Sequence, residues 1–572
     1  MTRLTTPKML AIIEEEKRAI FAEERSLLSS DSESERGVGL GAGAGAGAAA
    51  TKAYSNLLRP SAWNSMARKT VDFLLPSFLN HNPGGGGGSG SVGRKKLYPT
   101  AYLDGMRGLA ALFVFFCHYF YTSFFIAEGY YWFDPLVHSV EVDPQSPTPP
   151  PPATSTYTSL WRLPFVRLLY SGPSMVCVFF VISGYALSSR PLQLSNHRQA
   201  SKRNTEAFSR TLSSLVFRRF FRLYLPPLIS TFGIALLLWY GAYEDTRAFT
   251  TDRSFIHNVI EHHPPRLATL SEQLTHWAHQ MWAFVHVWGW QTHGGSTQYD
   301  VHLWTIPVEF RCSMVLFLVI IGTARLRPNI RLLVVGVLAW FVLRSDRWEM
   351  FLFLAGMTIA DLDVRRGAHE PENNGRSGAS PTAAVGTPTL LLPLSEKIDP
   401  GAGTSTPKSR SDRRKNSFWT LISIPTLYLL SSPDAGPFNV PGYSFLGAWI
   451  PEWFSEKYRF WQVMAAIMFV FCTARSRRCQ RFFELPPVQY MGDISYAIYL
   501  CHGPVTHVFG FAVQRWAWSV TGIEGAAYNR GAVLAALINI PLVIWAADLF
   551  WRAVDMPTVR FAKWLESKLV MD

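Results

Sequence analysis

About ten apolar runs divide this chain of 572 residues and limit what it can fold into. A straight helix needs about 20 apolar residues to cross a bilayer, with about 17 as the lower limit. Two of the runs are short, and re-entrant or broken helices are the alternative there. The sequence predicts an all-α, polytopic membrane protein with a bundle of about ten transmembrane helices and a disordered N-terminal region. The runs lie near 106–127, 170–187, 226–242, 304–323, 331–343 (short), 349–361 (short), 417–432, 459–474, 490–513 and 531–550.

Polar tracts rich in Gly, Pro and Ser separate or flank these runs. Because they offset the apolar runs, the mean hydropathy of the whole chain is only +0.09. Residues 1–97 are predicted to be a largely disordered, low-complexity region, because they contain GAGAGAGAAA and GGGGGSGS linkers. One transmembrane domain follows over 98–560. Within it, residues 364–416 are predicted to be a disordered cytoplasmic insertion. Residues 561–572 are predicted to be a cytoplasmic tail.

The formal charge of +13 comes from 54 Lys and Arg against 41 Asp and Glu. With the N-terminus in the cytoplasm, the positive charges fall in the inner loops at 188–225, 325–331, 410–415 and 474–481. This is the positive-inside bias of integral membrane proteins, and it places both termini in the cytoplasm. The charge therefore indicates contact with membrane lipids and no nucleic-acid partner. The endoplasmic reticulum, the plasma membrane and the oligomeric state all stay open.

The first apolar run carries an arginine and a histidine on one helical face. Arg107 lies at the inner end of the run, and His118 follows eleven residues later, about 16 Å deeper in a helix. An ionisable group in the membrane is costly, so it normally has a partner and a function. The alternative is an arginine that sets topology and a histidine that hydrogen-bonds another helix.

Two further runs place polar groups at membrane depth. Glu309 enters the fourth run from the outer side, and a structural Glu–Arg pair is the alternative function there. Ser495, Tyr499 and His502 share a face of the ninth run, ahead of Pro504, which is expected to kink the helix. Hydrogen-bonded helix packing is the alternative for that stripe.

Three arginines mark the inner end of the third run. Arg218 and Arg222 share a helical face beside Arg219, and such guanidinium groups can bind phosphate. Lipid headgroup contact is an equal alternative for each of them. Taken together, the depths predict a polar channel that attracts anions at its inner end and holds an acid–base centre in its middle.

These segments resemble, in order, motifs of the acyltransferase 3 family of integral-membrane acyltransferases. The resemblance runs from about residue 98 to 560. Two departures affect mechanism, because Phe310 replaces a second acid and Asp555-Met556-Pro557 replaces a closing Glu-x-Pro element. The matching segments are LDGMRGLAALFVFFCH with Arg107 and His118, VFFVISGYAL, FRRFFRLYLPP, LWTIPVEF with Trp304 and Glu309, and MGDISYAIYLCHGP.

The resemblance implies transfer of an acyl group, in the first instance acetyl, from acyl-CoA to a hydroxyl of a carbohydrate, lipid or small molecule. Acyl-CoA is then a co-substrate, and no cofactor is tightly bound. His118 is expected to act as general base, or alternatively as a covalent acyl carrier. The other implied roles are catalysis by Arg107, Glu309 and His502, binding of CoA phosphates by Arg218, Arg219 and Arg222, and binding of substrate by Trp304, Ser495 and Tyr499.

Two other functions remain compatible with the residues. A transporter or permease for an anionic solute would also place ionisable groups at mid-membrane, and it is the main alternative. A non-catalytic membrane scaffold is the other. No metal site is predicted, since the candidate histidines are loosely spaced among tryptophans. These are His276, His279, His286, His293 and His302.

Overall fold

A computed structural model describes residues 70–79, 97–127, 160–196, 202–288, 295–368, 410–434 and 442–570. The chain divides into two units, 1–74 and 75–572, and all the helices of the bundle belong to the second unit. Within the described residues the secondary structure is helical apart from one isolated bridge, Thr297–Asp300, which confirms the all-α class. Most of the predicted disordered segments, 1–97 and 364–416, lie outside the described residues.

Fourteen helices longer than one turn follow one another through these residues. One helix, α14, continues through most of the segment predicted as a C-terminal tail. The helices are α1 Ala101–Phe120, α2 Gly172–Asn196, α3 Lys202–Tyr240, α4 Leu270–Val285, α5 Thr305–Thr323, α6 Pro328–Arg344, α7 Trp348–Arg365, α8 Arg410–Leu430, α9 Arg459–Arg475, α10 Arg477–Phe483, α11 Pro486–Val505, α12 Phe511–Thr521, α13 Ala526–Phe550 and α14 Met556–Leu569.

Four helical segments among the described residues are long and apolar enough to cross a membrane, so the prediction of about ten crossings is not confirmed. The other predicted runs also form helices, but several are short or charged. Helices α6 and α9 have 17 residues each, about 25 Å of helix against a hydrocarbon core of about 30 Å. The four segments are Gly172–Asn196, Asn204–Tyr240, Val301–Thr323 and Ala526–Leu569.

Glycines allow two pairs of helices to pack with their backbones in direct contact. A Cβ atom on Gly184 of α2 would lie 2.2 Å from the carbonyl oxygen of Phe353 in α7. A Cβ on Gly108 of α1 would lie 2.3 Å from the backbone nitrogen of Gly492 in α11. Small residues at a crossing let helices approach this closely in a membrane. The second crossing fixes α1 against α11, the two helices that carry His118 and His502.

Replacing Gly184 with alanine should destabilise the protein, because the new methyl group would overlap the α7 backbone. Overpacking of this kind costs about 1–3 kcal/mol. We expect a lower midpoint of thermal unfolding in detergent. Gly336→Ala in α6 is the matched control, since a Cβ there meets no atom within 4 Å and alanine favours a helix. Equal midpoints for the two variants would contradict the close crossing.

A π-helical turn, Thr506–Gly510, joins α11 to α12 directly after Pro504. Proline has no N–H to donate to the carbonyl one turn earlier, that of Leu500, and this carbonyl instead accepts a hydrogen bond from Ser230 in α3. Such π turns occur often at functional sites. Here the turn directs His507 toward the loop that follows α3, where Glu261 lies.

Candidate active site

Three histidines from separate helical segments meet near one end of the bundle, and we call them the histidine cluster. His118 lies in the last turn of α1 and His502 in the last turn of α11. His302 belongs to the single turn Val301–Trp304 that leads into α5. Ring centroids are 4.1 Å apart for His118 and His302, and 5.3 Å apart for His118 and His502. The structure thus brings the two sequence-predicted histidines together and adds a third.

His302 is held between two carboxylates. Its Nδ1 lies 3.0 Å from Oδ1 of Asp300, and its Nε2 lies 3.0 Å from Oε1 of Glu261. The same Asp300 oxygen accepts the backbone N–H of His302, which caps the short turn. Both carboxylates receive a proton donor only when the ring carries two N–H groups. The geometry therefore favours an imidazolium, fixed in orientation, beside His118.

His118 and His502 each direct a buried nitrogen at the site without a hydrogen-bond partner. The Nδ1 of His502 lies 3.1 Å from the carbonyl oxygen of Ile498, which can only accept, so this nitrogen carries the proton. In the neutral ring, Nε2 then holds the lone pair. That Nε2 and the Nδ1 of His118 have no partner among the described residues. Buried polar atoms are normally paired, so two such nitrogens indicate a place for a substrate.

Glu261 connects the histidine cluster to two further elements. Its Oε2 lies 2.9 Å from Nε2 of His507, and Tyr121 donates a hydrogen bond to Oε1. Burial alone would raise the pKa of Glu261, but His302 and His507 more than offset burial and hold this pKa well below its usual range. The carboxylate is therefore ionised at physiological pH and ties the ends of α1, α5 and α11 to one loop.

A basic pocket lies along the first half of α3, and we call it the arginine pocket. It has a volume of about 50 Å³ and is lined by Arg218, Arg219, Arg222 and Lys563, with apolar side chains between them. Arg218 pairs with Glu566 at 3.1 Å. Arg222 has no hydrogen-bond partner among the described residues. Unlike its neighbours, Arg222 therefore keeps all its N–H groups for a ligand.

Arg107 and Glu309 lie among these basic groups and make no hydrogen bond to the histidine cluster. Arg107 donates to the hydroxyl of Ser495 at 3.0 Å and pairs with Asp104 at 3.3 Å. Glu309 pairs with Arg219 at 2.7 Å and accepts a hydrogen bond from Ser183 at 3.0 Å. None of these contacts reaches a histidine of the cluster, and catalysis by Glu309 stays a prediction.

The remaining predicted residues make contacts within the protein, and one of them, Tyr499, holds the segment that carries His302. The hydroxyl of Tyr499 hydrogen-bonds Thr305 at 2.7 Å and donates to the backbone carbonyl of His302. Trp304 is half-buried and packs against the main apolar core. Ser495 donates to the carbonyl of Gly492 within α11. In this structure these contacts are made within the protein, and substrate contact by the three residues stays a prediction.

A metal ion at the histidine cluster would require rearrangement. Ring nitrogens of the three histidines lie within 4.8 Å of one another, which is close enough to suggest a ligand set. However, zinc binds histidine nitrogen at about 2.0–2.1 Å, and both nitrogens of His302 already contact carboxylates. His302 would have to release one carboxylate to bind the ion. The arrangement fits a hydrogen-bonded acid–base cluster better.

Sequence reasoning missed four residues of this site and undervalued a fifth. Tyr121, Glu261, Asp300 and His507 were not singled out, and His302 was considered only as a metal ligand. Glu261 and Asp300 lie outside the apolar runs, where hydropathy and helical periodicity give no signal. One signal was present, because Asp300 stands two residues before His302 and directly ahead of the LWTIPVEF motif. Pairing of a histidine with a nearby carboxylate is a common way to orient an imidazole.

Comparison with known proteins covers nearly all of this architecture. A family model described as Acyltransferase domain matches residues 100–552. The O-acetyltransferase PaAT-1 of Phomopsis amygdali is 31% identical over 522 residues, which is 87% of this chain and 89% of that protein. Acyltransferase clz18 of Cochliobolus lunatus and acyltransferase R4 of Phoma sp. (strain ATCC 20986 / MF5453) are 26% and 25% identical, each covering 80% of this chain and 94% of its own length. No solved structure matches. The residues matched by the family model include the histidine cluster and the three arginines of the arginine pocket, but not Lys563.

Proposed function

Because the chain belongs to the acyltransferase 3 family of membrane O-acyltransferases, we propose that it transfers an acetyl group from acetyl-CoA to a hydroxyl of a carbohydrate, lipid or small molecule. The observation that carries this proposal is the pair of buried, unpartnered nitrogens on His118 and His502. Acyl transfer to a hydroxyl needs a base at the attacking oxygen, and a neutral imidazole lone pair is suited to this role.

His118 Nδ1 accepts the proton of the acceptor hydroxyl while the hydroxyl oxygen attacks the thioester carbonyl carbon. The carbon–sulfur bond then breaks, and the same proton passes from His118 to the CoA thiolate, so that no net proton is consumed. The His302 imidazolium, 4.1 Å away between ring centroids, stabilises the negative charge that develops on the carbonyl oxygen. His502 provides a second lone pair at Nε2, which accepts from a donor on the substrate other than the attacking hydroxyl, whose one proton goes to His118.

The donor occupies the arginine pocket with its phosphates. The pocket lies beside the first half of α3, while the histidine cluster lies beyond the level of Arg107 by about 16 Å along α1. The long pantetheine arm of CoA suits this separation between phosphate and thioester. The inner loops carry the positive charge of the chain, so the donor enters from the cytoplasmic side, and both termini lie there. Either the endoplasmic reticulum or the plasma membrane is compatible.

Acetyl-CoA labelled in its acetyl group tests this function with the full chain purified in detergent. Release of CoA together with a labelled ester on a supplied alcohol is the expected result. Uptake of a labelled anion by reconstituted vesicles without any CoA release would instead indicate a transporter. A stable labelled protein in the absence of acceptor would favour His118 as acyl carrier over general base.

Replacing Arg222 with alanine should raise the KM for acetyl-CoA about tenfold and change kcat little. The guanidinium is expected to bind CoA phosphate and to take no part in the chemical step. S-acetylpantetheine lacks the nucleotide phosphates, so its KM should be the same in variant and wild type. Arg210→Ala is the control, because Arg210 is exposed and its ion pair is with Glu206. An equal loss with both donors would argue against phosphate binding.

A further inference from the structure

A second cavity opens against the histidine cluster on the side away from the arginine pocket. Its volume is about 290 Å³, and its polar lining is supplied mainly by Tyr121, Tyr243, Glu261, Asp300, His302 and His507. Tyr243 follows the end of α3, whereas Arg222 lies about 27 Å before that end. The two cavities therefore occupy opposite halves of the same long helix.

The two cavities differ in the charge they present. The arginine pocket gathers four basic side chains, while the second cavity is lined by the carboxylates of Glu261 and Asp300. With the His302 imidazolium between them, the three groups carry one net negative charge, which would repel a phosphate or carboxylate on a ligand. The second cavity consequently suits a neutral molecule that offers hydrogen-bond donors. We call it the carboxylate cavity.

Asp300 has an unused hydrogen-bond acceptor in this cavity. Its Oδ1 is occupied by the ring and the backbone of His302, each at 3.0 Å. Its Oδ2 is buried and has no hydrogen-bond partner among the described residues. A buried oxygen of this kind costs free energy until a donor reaches it.

Gly503 keeps the approach to Asp300 open. A Cβ atom at this position would lie 3.4 Å from both carboxylate oxygens of Asp300 and 3.2 Å from Nδ1 of His302. Any side chain here would occupy the space in front of the carboxylate. The glycine directly follows His502, and the ring of His302, which lines this cavity, lies with its centroid 4.8 Å from that of His502 and 4.1 Å from that of His118.

We propose that the carboxylate cavity binds the acceptor, and that the acceptor is a neutral diol. One hydroxyl faces His118 and reacts, and the second donates its hydrogen bond to Oδ2 of Asp300. This inference rests on the proposed transferase function and narrows it. Alcohols with a single hydroxyl leave Oδ2 of Asp300 unpaired, and anionic acceptors are repelled by this carboxylate. Both classes should therefore be poor substrates. A site built to bind a hydroxyl rejects an analogue that lacks it strongly.

Three alcohols on one carbon skeleton test the proposal with detergent-purified full-length protein and labelled acetyl-CoA. They are cyclohexanol, cis-cyclohexane-1,2-diol and cis-2-methoxycyclohexanol. We expect kcat/KM for the diol to exceed that for either single alcohol by at least about tenfold. Equal values for the diol and the methoxy compound, or no acceleration of CoA release by any of the three while hydrolysis proceeds, would overturn the proposal.

Asp300→Asn should abolish the preference. The asparagine oxygen can still accept from His302, but the amide nitrogen replaces Oδ2 with a donor, for which a hydroxyl oxygen and a methoxy oxygen are both acceptors. The ratio of kcat/KM for the diol to kcat/KM for the methoxy compound should fall about tenfold, whatever the overall rate. Asp252→Asn, a variant of an exposed aspartate in the same loop as Glu261, should keep the wild-type ratio. An unchanged ratio in Asp300→Asn contradicts the assignment.

Gly503→Ala provides a second variant if Asp300→Asn does not fold. Its methyl group would crowd Asp300, so kcat/KM for the diol should fall toward the value for cyclohexanol. Hydrolysis of acetyl-CoA in the absence of alcohol separates the two levels of the argument. If the wild-type protein hydrolyses acetyl-CoA but shows no preference for the diol, only the acceptor assignment is refuted. A wild-type protein that neither hydrolyses acetyl-CoA nor acetylates any alcohol refutes the transferase function itself.

Discussion

Replacing His118 with alanine should lower kcat for acetyl transfer by about a thousandfold. General base catalysis by a positioned side chain contributes about a hundredfold to ten-thousandfold, and alanine removes the base entirely. Because the arginine pocket is remote, the KM for acetyl-CoA should change little. The measurement is CoA release and ester formation by the purified protein at saturating donor.

His279→Ala is the matched control for this variant. His279 lies on α4 and is exposed, so its loss removes an imidazole without touching the cluster. Partial recovery of the His118→Ala variant by added imidazole would support the base role. Full activity in His118→Ala would refute the assignment of His118 as general base. A thousandfold increase in KM at unchanged kcat would place His118 in substrate binding instead.

The apolar runs predicted where helices form more accurately than how many of them cross a membrane. Each of the ten runs coincides with a helix, because hydropathy and helix formation are local properties. Crossing also depends on length and on charges that neighbouring helices neutralise. Helix α7, for example, carries Asp361, which is buried and pairs with Arg331 of α6 at 2.5 Å. Such pairs depend on tertiary contacts that no single run contains.

The structure brings together two of the residues that the sequence singled out, and there is a physical reason for this. His118 and His502 were expected at similar depth, and depth follows from position along a helix. Partners across helices do not follow in this way. Glu309 was expected to act with the catalytic residues, yet it pairs with Arg219 on α3. The loop residues Glu261 and Asp300 reach the cluster only through the folding of loops, for which periodicity carries no information.

Replacing Glu261 with glutamine should lower kcat about a hundredfold while the KM for acetyl-CoA stays near the wild-type value. Glutamine offers one acceptor and one donor in place of two anionic oxygens, so it cannot accept from both His302 and His507. His302 then loses one of the carboxylates that favour its imidazolium form and fix its orientation. We expect Glu261 to act as a positioning residue, and a kcat effect without a KM effect is the sign of lost transition-state stabilisation.

The pH dependence of this variant gives the sharper test. A carboxylate whose pKa is depressed is ionised above that pKa and loses its charge only as the pH falls through it. The pKa of Glu261 lies well below its usual range, so the wild-type side chain is charged throughout pH 6–8. In Glu261→Gln the imidazolium form of His302 has one stabilising carboxylate fewer, so it is lost more readily as the pH rises, and the ratio of wild-type to variant activity should increase across that interval. Glu244→Gln, which alters a pair with Arg247 at the surface, should leave both kcat and the profile unchanged. A ratio that stays constant from pH 6 to 8 would mean that Glu261 does not stabilise the imidazolium form of His302, and it would contradict the positioning role.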